Sequence, residues 1–407
     1  MKIGVVTTTR SEYGLLKRLI GEINNDKDIE LCLIVSGTHL LEEYGMTVKY
    51  IEEDGFPISI RVPIDIDTSS AAAISKTMGR YFFAFSEVFE KNKIDFLVVL
   101  GDRYELIPIC YCAANAHIPI AHISGGEITE GAIDDAIRHS VTKLSYLHFP
   151  ACETYRKRII QLGEDPRRVL NVGDPGVENV IKGTFLSETE LREKLNLKPQ
   201  PYFAVIFHPV TLDKISPEKQ VDELLNAIAR FKDVQFVIMK SNADVGGCKI
   251  NQKLEKFVFE NNNCVLFSSL KIEEFLSLQK YSLGLLGNSS SGIVETPCFG
   301  IPTINIGDRQ RGRLFADSII SCPIDTNKIV DAIMIAMSED FRNKARNAEN
   351  PYGFGDTSAQ ILGHIKQTIK EGKIDLKKKF FDMAAEEKCD EINSYNSGKK
   401  RLEGREG

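Results

Sequence analysis

A recurring series of short apolar runs, continuous rather than alternating, most narrows what this chain can fold into. In the first half they fall at residues 3–6, 31–35, 96–100, 118–123 and 169–172. Continuous runs suit strands buried on both faces, as in a parallel sheet. Helical patterns separate them: Leu15, Leu16, Leu19, Ile20 and Ile23 share one face, as do the apolar positions from Ala72 to Phe89. This is a βαβ series, hence α/β with right-handed crossovers. It restarts at 203–207, 235–239, 264–267, 283–286 and 303–306, after a charged stretch at 182–201 that reads as a linker. The expected fold is therefore two Rossmann-like domains facing a cleft, with a further helix at 359–369. The corresponding division is 1–183, 184–351, a helical segment at 352–376, and a charged tail at 377–407 whose last dozen or so residues are expected to be disordered.

With 407 residues, the chain is long enough for two or three cores. Its 51 Lys and Arg against 57 Asp and Glu give a net charge of −6, which argues against nucleic acid or a membrane surface as partner. The nine cysteines are scattered without Cys-x-x-Cys spacing, so neither a disulfide framework nor a thiolate zinc site is expected. No signal peptide or bilayer-length apolar stretch is apparent, and the expected location is cytoplasmic.

Ligands of parallel α/β sheets bind beyond the carboxyl ends of the strands. Polar residues immediately after apolar runs are therefore the candidates. These are Arg10, Ser11, Thr38, His39, the triplet Gly101-Asp102-Arg103 and the run Ser124-Gly125-Gly126-Glu127 in the first half. In the second they are His208, Ser241, Asn242, the run from Gly287 to Gly292, and Gly307-Asp308-Arg309. Three serines between glycines exceed what a helix cap requires, which favours an anion cradled by serine hydroxyls and by backbone N–H groups at the start of the helix near Gly292. Arg309, Arg311 and Arg313 suit a diphosphate or simply a solvated basic face. Glu295 suits either a helix dipole or a ribose diol.

No Gly-x-Gly-x-x-Gly and no P-loop is present. His122 with Glu127, or His139 with Asp135, is a weak metal candidate; no metal is expected. Asp102, Glu127, Asp134 and Asp135 are the acid–base candidates, with His208 across the cleft. Neighbouring buried carboxylates push each other's pKa values apart. The plainer alternatives are Asp102 paired with Arg103, and Asp134 or Asp135 paired with Arg138. His117 and His148 read as structural, and His364 as solvated.

Taken in order, these motifs resemble the hydrolysing UDP-N-acetylglucosamine 2-epimerases of sialic-acid biosynthesis. Thr9-Arg10-Ser11-Glu12-Tyr13-Gly14, Gly101-Asp102-Arg103, Gly125-Gly126-Glu127, Ile137-Arg138-His139-Ser140 and His208-Pro209-Val210-Thr211 carry the likeness. Ser241-Asn242-Ala243-Asp244, the serine run, and the six residues from Asn305 to Gln310 continue it, over about residues 1 to 370. Glu12 stands where many members have Asp. The resemblance implies a GT-B-like fold whose C-terminal helix crosses back to the first domain. It implies elimination of UDP to a 2-acetamidoglucal, then water addition with inversion at C2, giving N-acetylmannosamine and UDP. By the same likeness Asp102, Glu127 and Asp134 are the acid–base carboxylates and His208 lies near the departing diphosphate. Arg10, Asn242, Ser289, Ser290, Gly292, Glu295 and Arg309 hold the nucleotide. No metal or redox cofactor is implied, and a homo-oligomer, dimer or tetramer, is expected. Relatives acting on UDP- or GDP-linked 2,4-diacetamido-trideoxy sugars share these motifs. A GT-B glycosyltransferase, a non-epimerising or non-hydrolysing relative that releases no UDP, and a catalytically silent nucleotide-sugar sensor are the rival readings.

Overall fold

The computed structural model describes residues 1–210, 213–241, 246–353, 355–372 and 374–383. Six parallel strands form the first sheet: β1 (Lys2–Thr7), β2 (Glu30–Ser36), β3 (Ile58–Val62), β4 (Phe96–Leu100), β5 (Ile120–Ile123) and β6 (Leu147–Phe149). Their spatial order is β3-β2-β1-β4-β5-β6. The second sheet holds β7 (Tyr202–Ile206), β8 (Gln235–Met239), β9 (Cys264–Phe267), β10 (Leu285–Gly287), β11 (Thr303–Ile306) and β12 (Ile319–Cys322). Its order, β12-β11-β10-β7-β8-β9, repeats the topology of the first. In both sheets the chain reverses direction of growth once, between β1 and β4 and between β7 and β10. Those two points are where a doubly wound sheet opens a crevice for ligand. The fold is thus the expected α/β pair of Rossmann-like sheets.

The central strands are buried on both faces, which explains their unbroken apolar character; β4, Phe-Leu-Val-Val-Leu, is buried throughout. The helix Arg10–Asn25 turns Tyr13, Leu16, Leu19, Ile20 and Ile23 inward. Thr9 caps it, with Glu12 closing a reciprocal capping box. The helix Thr357–Lys370 returns to this first domain, where Ile361, Leu362 and Ile365 join the same core. Each contributes about 1.5–3 kcal/mol by leaving water.

Three strands escaped the reading of apolar runs. β3 alternates in burial along an edge, β6 is three residues long, and β12 is a half-exposed edge. Conversely, 169–172 is no strand; only Val169 bridges, to His148. The segment at 182–201 is more than a linker. It holds a capped helix, Glu188–Lys194, and Leu191, Leu195 and Leu197 pack with Tyr202 and Ala204 in the second domain's core. His364 is half-buried against Phe149 rather than solvated.

Residues 374–383 run back over the first domain as a strap. Lys378 donates to the carbonyls of Lys143 and Ser145 and to Glu164, and Phe381 N–H donates to Gly163 O. Glu164 in turn meets buried His148 at 3.1 Å, so that histidine is structural as expected. The start of the charged tail is therefore docked; the expectation of disorder concerns residues beyond 383, outside the described ones.

Candidate active site

The two switch points face one another across a cleft with about 1430 Å3 of empty space, its open mouth included. The first domain supplies the ends of β1, β4 and β5, and the second supplies the ends of β7, β8 and β10 together with the loop after β11.

On the first-domain side Asp102 lines the cleft. Its partner is Arg138, fully buried on the helix Asp134–Leu144, and not the adjacent Arg103, which pairs with Glu105 at 3.2 Å. Arg138 also donates to Glu127 O, Thr129 Oγ1 and Asp135. Burial alone would raise the Asp102 carboxyl, but Arg138, Arg313 and Arg309 outweigh it and hold it below its ordinary value. A carboxylate so held is ionised at neutral pH and can accept a proton.

Glu127 follows a tight turn in which Ser124 sits at φ 62 and Gly126 at φ 79. A side chain on Gly126 would strike Tyr155 O, so the turn needs glycine there. A non-glycine residue in the left-handed region, beside a cleft, is the kind of strain that accompanies function. The Glu127 carboxylate is buried and is met by Arg313 from the second domain.

The Asp134-Asp135 doublet divides cleanly. Asp134 lines the cleft and meets Arg309 at 3.4 Å across it. Asp135 turns away, accepting from Thr129 N–H at 2.8 Å and meeting Arg138 and His139.

In the second domain Asn288 organises the turn after β10. Its side chain accepts from His208 N–H and donates to His208 O, both at 2.8 Å, while its own carbonyl accepts from Arg309 and Gln310. His208 lines the cleft with Nδ1 at 3.2 Å from Ser241 Oγ. Ser289, Ser290 and Ser291 also line it. Gly292 does not: its N–H is taken by Ser289 O and it packs closely on Thr303 and Leu285. Glu295 is buried, accepting from Ser291 Oγ at 2.7 Å and Gln279 at 3.2 Å, and burial raises its pKa. Arg10 reaches the second domain, donating to Leu270 O at 2.9 Å beside Phe275. Arg311 lies outside the cleft in a surface pair with Glu130.

Asn242, Ala243, Asp244 and Thr211 lie outside the described residues. Of the residues the resemblance assigns to the site, Arg10, Asp102, Glu127, Asp134, His208, Ser289, Ser290, Glu295 and Arg309 line this one cleft and Gly292 does not; the candidates Thr38, His39, Asp135, Asp308 and Arg311 also fall outside its lining. Sequence reasoning missed Asp174 and Glu12 as lining residues, and it missed Arg138 and Arg313 as the cations on Asp102 and Glu127. Asp174 carried a readable signal, a helix cap ahead of Pro175. The metal candidates are otherwise engaged: both His122 ring nitrogens face Gly101 O and Thr142 Oγ1, and burial lowers its pKa to about 3. Among the described residues no group of three or more potential ligands could hold a metal ion.

A family model described as UDP-N-acetylglucosamine 2-epimerase matches residues 21–366. The chain belongs to that family. It is 41% identical to polysialic acid biosynthesis protein P7 of Escherichia coli, across 94% of this chain and 97% of that one. It is 39% identical to the hydrolysing GDP/UDP-N,N'-diacetylbacillosamine 2-epimerase of Campylobacter jejuni, across 94% and 99%. These likenesses place it in the hydrolysing branch of the 2-epimerase family. The fold is similar to that of a Neisseria meningitidis UDP-GlcNAc 2-epimerase bound to UDP-GlcNAc, with a TM-score of 0.77 at 18% identity, covering 90% of this chain and all of that one. Among the described residues no helix is long and apolar enough to cross a membrane.

Proposed function

We propose that the protein hydrolyses a UDP-linked 2-acetamido sugar with inversion at C2, converting UDP-N-acetylglucosamine and water to N-acetylmannosamine and UDP for sialic-acid synthesis. The observation that carries this reading is the facing of three first-domain carboxylates, Asp102, Glu127 and Asp134, against a second-domain turn of serines with His208 and Arg309. Residues 1–183 would supply the acid–base groups and 184–351 the nucleotide site.

In the first step a carboxylate takes the C2 proton. The C–H electron pair becomes the C1=C2 double bond, and the C1–O bond breaks with its electrons leaving on UDP. The C2 proton is not α to a carbonyl, so stabilising the departing diphosphate does much of the work. Arg309, the serine turn and His208 are placed for that. In the second step water adds at C1 and a carboxyl returns a proton to the opposite face of C2. Arg313 meets Glu127 and Arg309 meets Asp134 across the cleft, so an incoming diphosphate competes with these carboxylates for the arginines.

The 39% likeness to the Campylobacter jejuni enzyme favours a second reading, the same reaction on a 2,4-diacetamido-trideoxy sugar nucleotide. Proton NMR in heavy water separates the two. With UDP-N-acetylglucosamine, free N-acetylmannosamine bearing deuterium at C2 and equimolar UDP are expected. Turnover only of the diacetamido substrate would move the substrate and keep the chemistry. Silence with both would sink the proposal in favour of a sensor or an acceptor-dependent transferase.

A further inference from the structure

Asp174 is an ionisable residue of the cleft for which the reaction outlined above has no use. It caps the helix Pro175–Lys182, Oδ1 accepting from Gly176 N–H at 2.7 Å. Its backbone N–H is tied to Tyr352 O, which fixes its position on the cleft floor. The residue is 6% exposed and lines the cleft.

Its charged surroundings are unusual. Glu295 approaches from the turn after β10, and Asp174 Oδ1 and Glu295 Oε1 both lie 3.0 Å from the point where a Gly176 Cβ would stand. Glu127 faces it from the loop after β5 and Arg313 from the loop after β11, with the Cys298 thiol nearby. Arg313 is committed to Glu127, and no lysine or arginine hydrogen-bonds to Asp174 among the described residues. Burial first, then Glu127, pushes the Asp174 carboxyl up to about 7, only partly offset by Gly176 N–H.

We propose that Asp174 works as a protonated acid, donating a hydrogen bond to the diphosphate of the bound nucleotide sugar. The position follows from the ligand's connectivity. On the nucleotide-sugar reading, Asp174 sits beside Glu295, assigned to the nucleotide, and feels the charge of Glu127, assigned to the acid–base chemistry, and the part of the ligand that joins those two ends is the diphosphate. A third carboxylate there would repel it, whereas a carboxylic acid kept neutral by its site donates to it. The inference rests on the nucleotide-sugar reading, since it takes its ligand from there.

The sign of the pH effect is fixed. Below about pH 7 the acid is neutral and donates; as pH rises through that value the donor is lost and an anion faces the diphosphate. UDP affinity, measured by calorimetry from pH 6 to 8.5, should therefore fall more steeply in the wild type than in Asp174→Asn. Asn keeps a cap oxygen and an N–H donor and does not ionise, and the comparison cancels the titration of UDP itself. We expect the two proteins to agree within about threefold at pH 6 and the variant to bind several-fold more tightly at pH 8.5. Asp174→Ser, a second capping residue with a non-ionising donor, should behave alike. Parallel pH curves, or weaker binding by both variants at every pH, would overturn the proposal. Turnover keeps the two readings apart. A protein with the expected UDP curves but no action on any sugar nucleotide sinks the epimerase, and active enzyme with parallel curves sinks only Asp174.

Discussion

Arg313, in the loop after the last buried strand of the second sheet, crosses the cleft to the carboxylate of Glu127 in the first domain. Arg309 makes the same crossing to Asp134. Glu127 and Asp134 are therefore completed only when the two domains meet, which on the proposed reading ties nucleotide binding on one side to proton chemistry on the other.

Asp102 is held ionised by Arg138 and lines the cleft. Asp102→Asn should lower turnover by about two to four orders of magnitude, the usual worth of a positioned acid or base. UDP affinity should stay within a few-fold. Steady-state kinetics beside calorimetry checks this, and unchanged turnover would remove Asp102 from the mechanism.

Arg309→Ala removes a charge-assisted donor from the nucleotide side. UDP binding should weaken by about 1.5–3 kcal/mol, or roughly tenfold to a hundredfold. Equal affinity in a titration would place the diphosphate elsewhere.

Gly131 lies where the domains touch. A Cβ there would come 2.7 Å from Asp308 O across the cleft, a contact with backbone that no rotamer relieves. Gly131→Ala should force these two loops apart and raise KM. X-ray scattering should show a larger radius of gyration, and an unaltered KM would show the loops can part freely.

Glu164 is buried, and despite the opposing cost of burial its contacts with His148, Lys143 and Lys378 hold its pKa at about 2. A depressed carboxyl stabilises above its unfolded value of about 4.3 and loses that contribution as pH falls toward its folded one. Glu164→Gln should cost about 1.5–3 kcal/mol at pH 7. In denaturant titrations the gap to wild type should narrow steadily between pH 4.5 and 2.5; a constant gap would refute the strap's electrostatic role.

The buried strands were legible because burial on both faces writes itself as unbroken apolar sequence, as in Phe96–Leu100. Edges were not: β3 reads Ile-Ser-Ile-Arg-Val, since one of its faces meets water. In the site, residues at strand ends were legible one at a time. Their partners were not, because Asp102 with Arg138 and Glu127 with Arg313 are joined by folding alone and leave no spacing in the chain. Gly292 misled for a local reason: in so short a turn its N–H closes on Ser289 instead of pointing outward.

The helix Thr357–Lys370 sets an order of assembly. Its Ile361, Leu362 and Ile365 fill the core built on β1 and β2, so a ribosome must translate the whole second domain before the first can be finished. The later-made domain can thus be the earlier one to mature, reversing the usual amino-to-carboxyl sequence of domain folding. Until that helix arrives, the part of the first core that Ile361, Leu362 and Ile365 fill lacks its cover, the interval in which the nascent protein is most exposed to aggregation and chaperone capture.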